Sequence, residues 1–362
     1  MNSFLLSKVQ PLDPTNIVFP GLGISLNVDK DAFFIGSLAI KWYGLIIMTG
    51  LLLALIYCFK RMKSFGISSD RAFDAVFAGF FGALIGARLY YVAFQWDQFK
   101  DNPIEILAFR DGGLAIYGGL IGALLVGCTV AKIRKVKLLP LLDLAGLGFL
   151  IGQGVGRWGN FFNHECFGVN TDNIFGMSSG RIQSFLTANA DRIFDETGLV
   201  IDPYSTVHPC FLYESFLCLL GFLILHLYSK HRKFDGEIFL MYLSWYGLIR
   251  FFIEGLRTDS LMIGHIRASQ LLAAICFVTA VSLIIGIRIH IRRMGDYVFY
   301  KDTEESKKFI EEQEAAEAEE KRKKAEKKAK KSSETEELRP EDKIVDDHEN
   351  NKKENDENGS SN

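Results

Sequence analysis

Five polar side chains able to bind anions or move protons fall within thirteen residues, GRWGNFFNHECFG at 156–168. Arg157 offers a planar fork of donors that matches two oxygens of a phosphate or carboxylate. Asn160 and Asn163 both donate and accept hydrogen bonds, and Glu165 can orient the arginine or take a proton. Gly156, Gly159 and Gly168 let the backbone turn tightly around a ligand. A second set lies in SWYGLIRFFIEGLR at 244–257, where Tyr246, Arg250, Glu254 and Arg257 follow at steps of four, four and three. Those steps align them on one face of a helix. Arg88, in FGALIGARLYYVAF, is a third cation in apolar surroundings. Two arginines beside amides and hydroxyls suit an anionic headgroup, above all a phosphate. Plainer uses stay open: an Arg250–Glu254 pair locking two helices, or Arg88 snorkelling to an interface.

The solvent around these residues decides what they mean. Averages over 362 residues, a net charge of -2 and 49% hydrophobic residues, resemble those of a soluble protein. They mix two unlike parts, because the chain from residue 300 is nearly all Glu, Lys, Asp, Asn and Ser, and the part before it is apolar. About seven long apolar runs predict membrane-spanning helices, at 43–59, 72–94, 113–131, 138–155, 209–228, 236–253 and 268–289. The expected fold is an all-α integral membrane protein. Basic residues occupy every second connection: Lys60, Arg61, Lys63 and Arg71; then Lys132, Arg134, Lys135 and Lys137; then Lys230, Arg232 and Lys233; then Arg292 and Arg293. Those ends therefore face the cytoplasm, with the N-terminus outside and the C-terminus inside. On this topology both arginine sets lie toward the outer face, where charge inside a span signals function.

The expected organisation has five parts. Residues 1–42 form an outer-surface segment, since Lys8, Pro11 and Asp13 interrupt any signal-like apolar core. Helices one to four and the polar loop occupy 43–168, an extracytoplasmic insertion 169–208, and helices five to seven 209–299. Residues 300–362 form a charged, disordered cytoplasmic tail, expected to be dispensable for chemistry. Glycines four apart, Gly82/Gly86 and Gly148/Gly152, suit close helix packing. The pairs Gly112–Gly113 and Gly118–Gly119, flanking Tyr117, could pack likewise or present backbone N–H groups to an anion. Six scattered cysteines suggest neither a metal site nor a disulfide framework. A nucleic-acid partner is not expected either. A lipid flippase or anion transporter using the same arginines is the alternative, disfavoured by the lack of an inverted repeat.

The motif at 156–168 resembles the signature of the prolipoprotein diacylglyceryl transferase family, Gly-Arg-x-Gly-Asn-Phe-x-Asn-x-Glu-x-x-Gly, at every fixed position. The similarity extends to KWYG (41–44), GARLYYV (86–92), GGLAIYGGLIG (112–122), HPCFLYE (208–214) and YGLIRFFIEGLR (246–257). It implies a seven-helix bacterial plasma-membrane enzyme whose site faces outward. Such an enzyme moves the diacylglyceryl group of phosphatidylglycerol onto the lipobox cysteine thiol of a preprolipoprotein signal peptide, releasing glycerol 1-phosphate, with no metal or redox cofactor. By position, Arg157 and Arg250 match the family's functional arginines. Tyr43, Asn160, Glu165, Gly168, Tyr246 and Glu254 match its other site residues, and Arg88 lies within a matched motif. Tyr117 stands where well-known members carry the histidine proposed as base. A phenol of ordinary pKa about 10 is a poor base at neutral pH, so Tyr117 is expected to position a substrate, with His208 as the alternative base.

Overall fold

The computed structural model describes residues 8–100, 102–107, 112–258, 262–263 and 266–337. Residues 1–7 of the expected outer segment and 338–362 of the expected tail lie outside them. Ten helices are described: α1 Trp42–Arg61, α2 Ser69–Phe94, α3 Trp96–Phe99, α4 Ile116–Ile133, α5 Leu138–Asn163, α6 Gly180–Thr197, α7 Cys210–Tyr228, α8 Glu237–Leu256, α9 Ala268–Met294 and α10 Glu304–Glu337. Six of them are long and apolar enough to cross a membrane: α1 with its continuation to Phe65, α2, α5, α7 with its continuation to His231, α8 and α9. The remaining expected run forms α4, whose apolar stretch Tyr117–Ile133 is shorter than those six.

Packing against lipid gains little from the hydrophobic effect, so these helices associate where small residues let backbones approach. On α2, Gly82 and Gly86 meet Gly118 and Gly122 of α4 so closely that a methyl group at any of the four would strike the facing backbone. Gly118 is therefore a packing residue, and the reading of its pair as an anion cradle gives way to helix contact. α5 is the axis of the bundle, touching α1, α7 and α8. Ser215 of α7 donates to the Gly154 carbonyl at 2.7 Å, and Trp245 of α8 donates to Leu217 of α7 at 2.9 Å. Fully buried Asp143 of α5 accepts from the backbone N–H groups of Gly236 and Phe239, at 2.8 and 3.0 Å. It thus caps α8 from a neighbouring helix, satisfying donors that no intrahelical partner can reach.

Among the described residues, three short antiparallel sheets accompany the helices. β1 (Asn16–Phe19) pairs with β2 (Ile24–Asn27) at Ile17↔Leu26, and β3 (Asp31–Ile35) pairs with β4 (Leu38–Lys41), leading straight into α1. β5 (Ser178–Ser179) joins the other edge of β1 at Ile17↔Ser179, and β6 (Met262–Ile263) pairs with β7 (Ile266–Arg267). The N-terminal segment and the 169–208 insertion therefore build one layer rather than two parts. Its core of Ile17, Met177, Ile182, Leu186, Ile193 and Val207 continues into Phe167, Cys210, Phe211 and Ile253 at the ends of the spanning helices. Ser179 caps α6 by accepting from Ile182 N–H, and Gly198 ends that helix at φ 70°. This layer anchors the loops at the end of α5.

The compact unit runs to Ile310, beyond the expected boundary at Tyr300. Tyr300 is buried and donates its N–H to Asp235 at 2.7 Å. Ser306 donates to the Gly66 carbonyl at 2.8 Å, Glu305 pairs with Lys137 at 3.2 Å, and Arg71 stacks on Phe309 at 3.7 Å. The charge count hid these contacts because Tyr300, Ser306 and Phe309 are isolated residues among many charges. From Glu311 a second unit begins, in which α10 carries exposed pairs Glu319–Lys323, Glu320–Lys324 and Arg322–Glu326. Truncation after Ile310 is expected to leave thermal stability unchanged. Truncation before Tyr300 removes a buried aromatic ring and two buried hydrogen bonds, and should cost about 3 kcal/mol. Thermal unfolding of both variants in detergent checks this, and identical midpoints would refute it.

Candidate active site

Arg157 and Asn160 lie in the last two turns of α5, which stops at His164 in a left-handed conformation, φ 59°. Glu214 lies in the second turn of α7, and Tyr246, Arg250 and Glu254 line one face of α8. The three helices bring these groups to a single carboxylate. Arg157 Nη2 sits 2.5 Å from Glu214 Oε1, and the Tyr246 hydroxyl donates to the same oxygen at 3.0 Å. Arg250 Nη1 lies 3.5 Å from Glu214 Oε2, and its Nη2 lies 2.6 Å from Glu254 Oε2. On the far side, Arg157 Nη1 donates to Asn160 at 3.4 Å, and Asn160 Nδ2 reaches Glu165 at 3.5 Å.

Burial orders the network. The Glu214 side chain is 0% exposed and that of Glu254 2%, whereas those of Arg157 and Arg250 are 20% and 19% exposed. The carboxylates form a floor and the guanidinium groups rise from it toward solvent. A buried carboxylate without partners would be strongly unfavourable, so the arginines are held by what they neutralise. Two positive and two negative charges cancel here. The geometry favours oriented donors over net positive charge, and its accessible side can take an anion with two oxygens in reach of two forks.

The loops beside this floor are interlaced. Gly168 donates to His208 O at 2.8 Å, Val169 donates to Leu256 O at 2.8 Å, and Phe211 donates to Cys166 O at 3.0 Å. A methyl group at Gly168 would lie 2.8 Å from the Leu256 carbonyl and 3.0 Å from Cys210 Sγ, so only glycine fits between these strands. The Cys166 sulfur lies 3.8 Å from Arg157 Nη1 and 3.5 Å from Arg257 Nη1, linking the two cations. Tyr43, at the start of α1, packs its ring against Gly159. His208 Nδ1 shares a 3.3 Å hydrogen bond with the Tyr213 hydroxyl, and burial pushes its pKa below the ordinary imidazole value. His164 is buried on Ser179 at 2.9 Å, a structural contact, with its pKa lowered by burial and then by Arg181.

Two expected site residues lie apart from this network. Arg88 is 4% exposed and donates to the carbonyls of Glu105, Ile106, Gly112 and Gly113 at 2.6, 2.8, 2.8 and 3.1 Å. That geometry makes it a fastener of the chain entering α4, with its donors turned to backbone rather than ligand. Gly112 and Gly113 take positive φ to present those carbonyls. Tyr117, in the first turn of α4, is 70% exposed and makes no hydrogen bond with a described residue. Glu254, expected to touch substrate, instead holds Arg250 from below. Glu214 was missed, although a carboxylate within the apolar run 209–228 was the signal that could have found it. Among the described residues, no three His, Cys, Asp or Glu side chains are placed to hold a metal ion.

The family described as prolipoprotein diacylglyceryl transferase matches residues 30–286. A relative from Staphylococcus haemolyticus (strain JCSC1435) is 40% identical over 263 residues, 72% of this chain and 89% of its own. One from Enterococcus faecalis (strain ATCC 700802 / V583) is 40% identical over 285 residues, 78% and 97%. One from Staphylococcus aureus (strain Newman) is 38% identical over 270 residues, 74% and 92%. All three bear the name phosphatidylglycerol–prolipoprotein diacylglyceryl transferase.

Proposed function

The chain belongs to the prolipoprotein diacylglyceryl transferase family, and on that premise we propose how its residues carry out the transfer from phosphatidylglycerol to prolipoprotein. The observation that carries the proposal is the pair of guanidinium groups, from α5 and α8, held on one buried carboxylate. The acceptor is the thiol of a lipobox cysteine. Its sulfur attacks the glyceryl carbon, a carbon–sulfur bond forms, and the carbon–oxygen bond to phosphate breaks with its electron pair staying on oxygen. A diester with one negative charge becomes a monoester tending toward about -1.5 to -2. Arg157 and Arg250 therefore hold the transition state and product more tightly than the ground state, which is what accelerates the step. The thiol, with a reference pKa of about 8.5, loses its proton to solvent or to a neighbouring base such as the neutral imidazole of His208.

Supporting this reading, the arginines stand at the end of α5 opposite Lys137, and Lys137 belongs to the basic connections that mark the cytoplasmic side. On that orientation the site opens at the outer face of the plasma membrane, and α4, matched glycine to glycine with α2, makes the seventh crossing. Asn160 and Tyr246 orient Arg157, and Tyr43 and Gly168 shape the walls. The test is purified protein with phosphatidylglycerol and a lipobox peptide. The peptide should gain the mass of one diacylglyceryl group in step with glycerol 1-phosphate release. Lipid movement between leaflets without that gain would favour a flippase.

Tyr117, exposed and without a hydrogen-bond partner among the described residues, is assigned a hydrogen bond to the donor headgroup or the incoming sulfur. Because no described group holds that hydroxyl in place, Tyr117→Phe should lower the rate only about tenfold, less than loss of a preorganised donor. The deficit should be the same from neutral pH to about 8.5. A base would show the opposite behaviour, since the thiol ionises unaided as pH rises and the variant would converge on wild type. Rate–pH curves that merge at alkaline pH would assign Tyr117 as the base.

A further inference from the structure

A cavity of about 830 Å³ lies at the opposite end of the bundle from the arginine network, between the α4–α5 connection and residues 297–305. It has two chemically distinct halves. Along the bundle it is walled by Cys128 of α4 and by Leu138 and Leu139, which begin α5 and are themselves exposed. Lys132 and Lys135, both exposed, line it from the α4–α5 connection, and Val298 lines it from the C-terminal side. The other charged groups facing it are engaged. Lys137 pairs with Glu305 at 3.2 Å, and Asp235 accepts from Tyr300 N–H and pairs with Arg232. The ammonium groups of Lys132 and Lys135 make no hydrogen bond or ion pair with any described residue, and Lys135, whose N–H donates to the Lys132 carbonyl at 3.2 Å, is held at φ 57°, outside the usual range for a side-chain-bearing residue.

We propose that this cavity binds the headgroup and upper acyl chains of an anionic phospholipid of the cytoplasmic leaflet. The proposal rests on the orientation given above. Two ammonium groups without a described partner, beside an apolar lining of Cys128, Leu138, Leu139 and Val298, supply the two kinds of contact that the phosphate and the first methylenes of such a lipid need. Basic pockets between helices on the cytoplasmic side are suited to anionic headgroups. One wall comes from residues 297–305, beyond the 30–286 stretch matched by the family. The site lies at the other end of α5 from the donor site and is separate from it.

Native mass spectrometry of the full-length protein in detergent, titrated with dioleoyl phosphatidic acid, tests this without reading transfer. Each lysine near a membrane surface contributes about fivefold, so Lys132→Gln with Lys135→Gln should weaken binding about twenty-five-fold. The double Lys→Arg variant should bind within about twofold of wild type, separating loss of charge from loss of fold. The arginine network is a second place for this lipid, so Arg157→Lys should weaken a binding event that the lysine substitutions leave alone and spare the lysine-dependent one, and a failure of the donor-site reading and a failure of this one look different. Undiminished binding by the double glutamine variant would overturn the assignment. Displacement of the lipid by an equal concentration of free glycerol 3-phosphate would overturn it too, by making the site one for a soluble phosphate ester.

Discussion

Arg157→Lys and Arg250→Lys are each expected to lower the transfer rate roughly 10³-fold while leaving a folded protein that still inserts in membranes. Lysine keeps the charge but not the planar fork, and the fork is what each position uses. Arg157 spans Glu214, Tyr246 and Asn160, so an ammonium that satisfies Glu214 has nothing left aimed at a ligand. Arg250 likewise bridges Glu214 and Glu254. The loss should fall on kcat more than on KM, because the charge grows on the phosphate only as the carbon–oxygen bond breaks. The measurement is initial transfer rates against phosphatidylglycerol concentration in nanodiscs, alongside thermal unfolding. Both variants within threefold of wild type would dispose of the two-arginine clamp.

Glu214→Gln is expected to lower kcat roughly 10²-fold, the scale of losing one preorganised electrostatic group, and to leave KM for phosphatidylglycerol unchanged or lower. The amide nearly preserves shape yet removes the charge that both arginines share. Taking one partner from a buried ion pair costs about 3–5 kcal/mol, reduced here to about 2 kcal/mol because both guanidinium groups are partly exposed and Arg250 keeps Glu254. The freed positive charge should attract the ground-state phosphate more strongly, yet hold it less well oriented for the reaction. That opposition separates a positioning role from a merely structural one. A structural defect would lower the amount of folded enzyme and leave both constants of the remainder intact. If kcat of the folded variant matched wild type, Glu214 would be a packing residue only.

Much of the site was legible because charge in an apolar run is conspicuous, and Arg157, Arg250 and Glu254 were found that way. Arg88 was equally conspicuous and turned out to hold backbone carbonyls. Spacing reports that a cation is buried and is silent on which acceptors surround it. Glu214 carried the same signal, a charge in an apolar run, but the run itself did not show what it was for. It stands alone on α7, with no polar neighbour at helical spacing, and its partners come from two other helices. The charged stretch after residue 299 misled in the other direction, because one buried ring and one buried hydroxyl among many charges leave no periodic mark.

The sequence by itself determined the solvent, the all-α membrane class and the kind of chemistry. These follow from local quantities: runs of apolar residues, loop charge, and the donor geometry of arginine. Tertiary structure alone decided that the two arginines share a buried carboxylate, and that Gly168 lies where nothing larger fits. It also decided that the N-terminal strands and the 169–208 insertion form one layer, and that residues 300–310 close the opposite end. Each of those facts is a distance between segments far apart in the chain. Such distances are set by helix contacts at glycine and by hydrogen bonds between loops, and neither is encoded in the spacing of any one segment.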